Sequence, residues 1–246
     1  MKLKLPSLSA YTLKAIAVAA MMIDHAAYLL LDAASPLGVA AHLIGRLTAP
    51  IMCYFIAEGY FYTGNFRRYA LRLFIFALVS QIPFQLVVEK GVIAFPPRAL
   101  NMLFTLLCGL LALRAWYTIE NESLRRGAVC GLMLLTVFMD WAVFAVLFIL
   151  VFATNRGDKR AQITAYRLLC IAKVAASLLS AAVSGQHLVT VISALGVFGA
   201  IPLLFMYNGK RGGERAGAVG KQARWLFYIV YPAHLLLMGI FYRVYF

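Results

Sequence analysis

The stretch Tyr11–Leu31 reads YTLKAIAVAAMMIDHAAYLLL and decides the fold class. Its apolar run has about 20 positions, the length that an α-helix needs to cross a bilayer. Lys14, Asp24 and His25 interrupt the run, although a charge at the centre of such a helix costs about 2.5–3.5 kcal/mol on insertion scales. Lys14 and His25 are separated by roughly 16 Å of helical rise. These side chains therefore need partners or a function inside the membrane, and their spacing suits a protein that passes a reactive group across it.

Apolar segments of this kind continue through the rest of the chain. Of the 246 residues, 63% are apolar and 13% are charged, whereas a soluble domain has about 45–50% and about 25%. We therefore predict an all-α, polytopic transmembrane bundle that forms a single domain over residues 1–246. The predicted spans are about 10–31, 43–62, 70–88, 100–118, 127–153, 161–182, 187–207 and 224–244.

The stretch 127–153 is interpreted as two short segments, which brings the total to about nine. Asp140 would lie at the centre of a single long span, where its charge is costly. A hinge at Asp140-Trp141 avoids that cost, and it returns the basic residues after position 155 to the cytoplasmic side. We therefore expect a broken helix hairpin near Asp140.

Basic residues in the loops set the orientation and account for most of the net charge of +14. Cytoplasmic loops carry an excess of Lys and Arg, and here such loops alternate with loops that are poor in both. The N-terminus, with Lys2 and Lys4, is therefore expected in the cytoplasm, together with the basic loop Gly209–Gly220, and the C-terminus outside. Nucleic-acid binding is disfavoured because no basic face is large enough, and the first helix is interpreted as uncleaved.

Polar side chains inside the spans form the candidate site. Helices one and two should pack antiparallel, which predicts two charge pairs, Asp24/His25 with Arg46 and Lys14 with Glu58. Such pairs offset part of the desolvation cost, and they serve either chemistry or helix register. His25 is the best general base because an imidazole accepts a proton near neutral pH. Further polar groups are expected in the outer half of the bundle: Ser80, Gln81, Gln85, Asn101, Thr105 and Asp140.

Several other kinds of site have no support in the sequence. The four histidines lie in four different regions, and the four cysteines show no CxxC spacing, so we expect no metal site. Walker-A, dinucleotide-binding and GxSxG patterns are absent as well. His234, in the sequence Tyr-Pro-x-His of the last span, is either a core histidine or a participant in the chemistry.

Six stretches, in order along the chain, resemble the TraX family, the bacterial conjugal-transfer proteins typified by F-pilin N-acetylase. They are MMIDHAAYLL (21–30), IGRLTAPIMCYFIAEGYFYTGN (44–65), YALRLFIFALVSQIPFQLV (69–87), LNMLFTLLCGLLAL (100–113), FMDWAVFAVL (138–147) and FYIVYPAHLLLMGI (227–240). The spacing of Lys14 and His25 is also similar to that of the type-3 membrane acyltransferases. The dipeptide Asp24-His25 is similar to one in the heparan-glucosaminide N-acetyltransferases.

The resemblance implies a multi-pass acetyltransferase of the bacterial inner membrane. It would move an acetyl group from cytosolic acetyl-CoA to an extracytoplasmic peptide amine, as on a pilin, or to a surface sugar. The residues expected to bind acetyl-CoA are Lys14, Glu58, Arg67, Arg68 and Arg72, and those expected in catalysis are His25, Asp24, Arg46, Asn101 and Gln81. Within the catalytic set, His25 is the base, and Arg46, Asn101 or Gln81 would stabilise the oxyanion.

Two other functions fit the same residues. A proton-linked transporter would use Asp24, His25, Lys14, Glu58 and Asp140 as a relay. Transporters often contain inverted repeats, and this chain shows no internal repeat. A non-catalytic assembly factor for a conjugation apparatus would use the polar residues for packing alone.

Overall fold

The computed structural model describes residues 7–185, 191–212 and 219–246. Predictions for Lys2, Lys4 and residues 213–218 of the basic loop fall outside these ranges. The helices are α1 (Ala10–Leu30), α2 (Pro36–Gly45), α3 (Thr48–Tyr62), α4 (Phe66–Val88), α5 (Met102–Thr118), α6 (Glu122–Leu135), α7 (Phe144–Thr154), α8 (Lys159–Ser184), α9 (Ala200–Phe205) and α10 (Val219–Tyr245). Short 3-10 helices cover Thr136–Phe138 and Ser193–Gly199.

These elements confirm the all-α prediction, since the described residues contain no β-strand. Within the described residues, five helical segments are long and apolar enough to cross a membrane. They are Ala10–Leu30, Pro36–Tyr62, Phe66–Val88, Lys159–Ser184 and Phe227–Tyr245. The predicted orientation of the termini stays a prediction.

The chain forms two compact units. The first contains Met1–Ile51 and Cys170–His234, and the second contains Met52–Leu169 and Leu235–Phe246. Each is described by itself below, and the single-domain prediction stays a prediction.

In the first unit, α2 begins earlier than the sequence predicted. Residues 32–42 were expected to form a loop, but α2 already starts at Pro36. Ser35 caps the helix, with its hydroxyl accepting from the Gly38 amide at 3.1 Å, and Pro36 suits the first helical turn because the amide hydrogen it lacks would have no helical partner there. This Ser-Pro start signal places His42 on a helix, where it faces α1.

In the described part of the predicted span 187–207, the structure also differs from the single long helix that the sequence predicted. The chain there forms the 3-10 helix Ser193–Gly199 and then the short α9. Gly196 explains the close packing, because a Cβ at this position would lie 2.0 Å from the backbone oxygen of Leu43 in α2. Glycines at 196 and 199 and a proline at 202 disfavour a regular α-helix, so this segment packs backbone to backbone on α2.

In the second unit, the chain breaks at the predicted hinge. Trp141 and Val143 have φ angles of 56° and 60°, a conformation that side chains with a branched or bulky Cβ rarely adopt. The hinge is tied to Leu100, two residues before α5, because Leu100 N donates to Phe138 O and Asp140 N donates to Leu100 O. With about 21 Å and 16 Å of rise, α6 and α7 are both shorter than the roughly 30 Å apolar core of a bilayer.

Candidate functional site

His25 on α1 and His234 on α10 form a hydrogen-bonded histidine pair in the first unit. Nδ1 of His25 lies 2.9 Å from Nε2 of His234. The ring centroids are 5.1 Å apart, with 19° between the ring planes. His234 is buried and His25 is half-buried. The structure therefore gives the predicted base a partner from the last helix of the chain.

A backbone carbonyl fixes which nitrogen of each ring carries hydrogen. Nδ1 of His234 lies 2.7 Å from the Val230 oxygen, and a carbonyl only accepts, so this Nδ1 donates. In the neutral ring Nε2 is then the acceptor, and Nδ1 of His25 must donate to it. Nε2 of His25 retains its lone pair and makes no hydrogen bond to any residue that the structure describes. His25 is thus oriented to accept a proton through Nε2.

Asp24, the neighbour of His25 in sequence, is paired with a different histidine. Its Oδ1 lies 2.9 Å from Nδ1 of His42 on α2, and both side chains are largely buried. The sequence predicted Arg46 as the partner of Asp24 and His25, which stays a prediction, and the structure places His42 against Asp24 and His234 against His25. Arg46 lies one helical turn beyond His42, as the residue that caps α2.

Gly45 allows α2 to approach Asp24. A Cβ at position 45 would lie 2.2 Å from Oδ1 of Asp24 and 2.4 Å from its Cγ. Because glycine has no side chain, the carboxylate of Asp24 occupies that space and reaches His42. In the dipeptide Gly45-Arg46, Gly45 therefore contributes to the site because its lack of a side chain leaves room for the Asp24 carboxylate.

Lys14 lies near the start of α1 and contacts an aromatic ring. Its ammonium group is 5.7 Å from the ring centroid of Phe227 on α10, within the range of a cation–π interaction. The backbone at this end is held by the segment after α9, since Ala10 N donates to Lys210 O and Tyr11 N donates to Arg211 O. The start of the helix that carries Lys14 is thus joined through its backbone to the basic segment Lys210-Arg211.

Asn101 and Gln81 lie in the second unit, where they form a buried amide network. Nδ2 of Asn101 donates to Ala77 O at 2.8 Å and to Oε1 of Gln81 at 2.9 Å, while its Oδ1 accepts from Leu103 N at 3.1 Å. Nε2 of Gln81 donates to Ala99 O at 2.9 Å. Both amide hydrogens of Asn101 are therefore engaged, and neither is left to bind an oxyanion.

Asn101→Ala should lower the free energy of unfolding by about 3 kcal/mol, because it leaves several buried partners without their hydrogen bonds at about 1–3 kcal/mol each. Asn121→Ala is the matched control. Asn121 also caps a helix through its side chain, but it is exposed and should cost about 1 kcal/mol. Thermal unfolding in detergent measures both variants. Equal losses would contradict the structural role of Asn101.

Glu58 also lies in the second unit, where it pairs with an arginine that the sequence did not suggest. Its Oε1 accepts from Nε of Arg156 at 3.1 Å, and the guanidinium lies 4.7 Å from the ring centroid of Phe61. Burial opposes the charge of Arg156, but the hydrogen bond and the charge of Glu58 outweigh it and raise the pKa of the guanidinium above its ordinary value. Glu58 is therefore committed to Arg156 in this unit.

The predicted phosphate ligands lie at the start of α4. Arg67 and Arg68 are exposed, and Arg72 is half-buried, with its guanidinium 5.7 Å from the ring centroid of Tyr69. Among the residues that the structure describes, no group of three His, Cys, Asp or Glu side chains is placed to hold a metal ion. Cys53, Cys108, Cys130 and Cys170 form no disulfide bond, and of the four Cys130 is exposed while the others are buried.

Sequence reasoning identified His25 and Asp24 but missed His42. The signal that could have identified His42 lies close to it in the sequence, because Ser35-Pro36 is typical of a helix start. A helix that begins there places His42 and Arg46, four residues apart, on the same face. His234 was recognised as an open case, and its hydrogen bond to His25 joins residues 209 positions apart. No pattern in one sequence reveals a contact of that range.

Comparison with known proteins gives one family and one relative. A family model described as TraX protein matches residues 9–242. The protein named "Probable fimbrial assembly protein FimC, serogroup H1" from Dichelobacter nodosus is 32% identical over 238 residues, which covers 94% of each chain. No solved structure matches this chain.

Proposed function

We propose that this chain, which belongs to the TraX protein family, is a multi-pass acetyltransferase of the bacterial inner membrane. It moves an acetyl group from cytosolic acetyl-CoA to an acceptor on the extracytoplasmic side. The observation that carries the proposal is the histidine pair, in which the hydrogen bond from His25 to His234 leaves Nε2 of His25 as a proton acceptor. Acyl transfer needs such a base, because the attacking amine or hydroxyl must lose a proton.

The position of this base in an apolar helix supports the same chemistry. A thioester and its nucleophile react through a tetrahedral oxyanion, and a site that excludes water strengthens the hydrogen bonds and charges that stabilise it. In this proposal Nε2 of His25 takes the proton of the nucleophile as the C–N or C–O bond forms. It then returns the proton to the sulfur as the C–S bond breaks. Arg46 remains the proposed oxyanion donor, since it lies on the same helical face as His42.

Lys14 and the arginines Arg67, Arg68 and Arg72 are the proposed ligands for the anionic groups of acetyl-CoA. Guanidinium groups bind phosphate through two parallel hydrogen bonds, and Arg67 and Arg68 are exposed at a helix start. Glu58 is left out of the binding set because its carboxylate pairs with Arg156. Gln81 keeps only one amide hydrogen beyond its bond to Ala99 O, so it ranks behind Arg46 as an oxyanion donor.

The favoured acceptor is the terminal amine of a pilin-like or fimbrial subunit. The named relative is a fimbrial assembly protein, which supports an exported fibre subunit more than a sugar. The same name also favours a second function, that of an assembly factor without catalysis. In that case the histidine pair would serve helix packing alone.

The test uses purified protein in detergent with labelled acetyl-CoA. Acceptors are a peptide with a free α-amine, the same peptide with an aminooxy group in place of that amine, and an amino sugar. Transfer of label to one of them supports the enzyme. If folded protein transfers label to none of the acceptors and its melting temperature does not rise with acetyl-CoA, the assembly factor is favoured.

His234 should act as a positioning residue for His25. His234→Phe removes the acceptor for Nδ1 of His25 and should slow acetyl transfer by between about 10- and 10⁴-fold, the upper value being the cost of a wrong tautomer in the serine protease triad. His234→Gln keeps an acceptor oxygen and should retain much more of the rate. Nitrogen-15 NMR of the His25 ring reads the tautomer directly. Equal rates for the two variants would contradict this role.

A further inference from the structure

His42 is a second imidazole whose proton arrangement is fixed by its partner. A carboxylate only accepts, so the 2.9 Å contact between Asp24 Oδ1 and Nδ1 of His42 places the hydrogen on Nδ1. Nε2 of His42 is then a proton acceptor, as Nε2 of His25 is. Asp24 and His25 are neighbours on α1. One turn of this helix therefore carries the imidazole of His25 and contacts a second imidazole, that of His42. The two rings have different hydrogen-bond partners.

The difference between the two partners matters when a ring gains a proton. His42 is backed by a carboxylate, which stabilises an adjacent imidazolium by charge, as the aspartate does in a Ser-His-Asp triad. His25 is backed by a neutral ring, which orients it without supplying a negative charge. His42 therefore suits a proton that is held for some time, and His25 suits a proton that is passed on within one step.

Acetylating an amine requires both kinds of proton transfer. At neutral pH most of an α-amine is the ammonium form, which has no lone pair and must lose one proton before it can attack. The neutral amine loses a second proton as the C–N bond forms, and the departing sulfur takes one up. The balance is R–NH3⁺ + acetyl-S-CoA → R–NH-acetyl + HS-CoA + H⁺, so one proton leaves the site in each turnover.

We propose that His42, held by Asp24, takes the proton from the ammonium form of an amine acceptor, while His25 moves the second proton from nitrogen to sulfur. This assignment rests on the proposed acetyltransferase function. His42 becomes imidazolium beside Asp24 and releases its proton to water after the amide has formed. The Asp24–His42 pair thereby adapts the site to acceptors that arrive charged.

Few other titratable groups surround His42. Arg46 lies one turn further on its own helix, and on α1 the neighbours of Asp24 are His25 and, one turn along, Tyr28. The 3-10 helix Ser193–Gly199 also packs on α2 and carries no titratable side chain. Asp24 is therefore the negative charge that stands against the His42 ring in the described part of this unit.

The experiment compares two acceptors at pH 7 in detergent with the full-length protein and labelled acetyl-CoA. One is a peptide with a free α-amine, and the other carries an aminooxy group, which is weakly basic and already neutral. His42→Gln should slow transfer to the α-amine by about tenfold, since about one-tenth of an amine of pKa about 8 is neutral at this pH. Transfer to the aminooxy peptide should change by less than about twofold, because the second proton is still moved by His25.

Two further variants make the outcome decisive. Asp24→Asn keeps an oxygen that accepts from His42 but removes the charge, so it should show the same selective loss even if His42→Gln does not fold. Leu37→Ala, at an exposed position of α2, should leave both rates unchanged. Equal slowing of both acceptors, or no slowing of the α-amine, would overturn the assignment. If the wild-type protein transfers acetyl to neither peptide, the assignment fails, and if it does not transfer acetyl to the amino sugar either, the proposed function fails with it.

Discussion

His25→Ala should lower the rate of acetyl transfer by about 10²–10⁴-fold, the usual contribution of a general base. The side chain that the substitution removes carries the only nitrogen of the His25–His234 pair that is left to accept a proton. Nε2 of His234 would then have a free lone pair, but this nitrogen does not occupy the position of Nε2 of His25, so it does not replace the base.

The measurement separates chemistry from binding. Turnover is followed with labelled acetyl-CoA, and binding is followed by the rise in melting temperature that acetyl-CoA causes. His25→Ala should lose turnover and keep the thermal shift, since the proposed phosphate ligands are unchanged. Met22→Ala, at an exposed apolar position of the same helix, is the matched control and should keep both. A His25→Ala protein that folds and turns over at the wild-type rate would rule out His25 as the base.

Gly196→Ala should lower the free energy of unfolding by about 3 kcal/mol, the upper end of the usual cost of overpacking. Its Cβ would lie 2.0 Å from the Leu43 oxygen and 2.8 Å from the Leu43 carbonyl carbon. Both atoms belong to the backbone of α2, so no rotamer change relieves the clash and the helix itself must move. Because His42 is carried by the same turn of α2, its contact with Asp24 should weaken as well.

Gly131→Ala is the matched control for this substitution. Gly131 is in α6, and a Cβ there meets no atom within 4 Å, so alanine should stabilise the helix by up to about 1 kcal/mol. Thermal unfolding of the two variants in the same detergent should therefore shift in opposite directions. If Gly196→Ala unfolds at the wild-type temperature, the close packing of the 3-10 helix on α2 is not present in solution.

Much of the fold follows from the sequence because a helix that crosses the bilayer must consist of about 20 mostly apolar residues. Spans near α1, α4, α5 and α8 were visible as apolar runs of suitable length, and Asp140 marked the break between α6 and α7 by its cost in a long span. The segment around Gly196 was not visible. Its apolar residues satisfy the same length rule, and only the contact with α2 shows why a 3-10 helix forms there.

Two residues of the candidate site, Asp24 and His25, were predictable from the sequence. An acid and an imidazole stand out in an apolar helix because burying them there costs free energy. The contacts with His42 and His234 were not predicted, since depth in the membrane alone does not select one side chain from those one turn away. Asn101 was expected at the site as a polar residue in a span, and the structure shows the buried hydrogen bonds that its side chain makes there.

The chain of hydrogen bonds that orients His25 begins at the Val230 oxygen, which is part of the backbone. Any residue at position 230 supplies that oxygen, so a substitution there leaves the proton arrangement unchanged as long as α10 stays helical. Position 234 is more restricted, because its side chain must accept the hydrogen of Nδ1 of His25. The direction of the relay therefore depends on one side chain of α10 and on a backbone atom four residues before it.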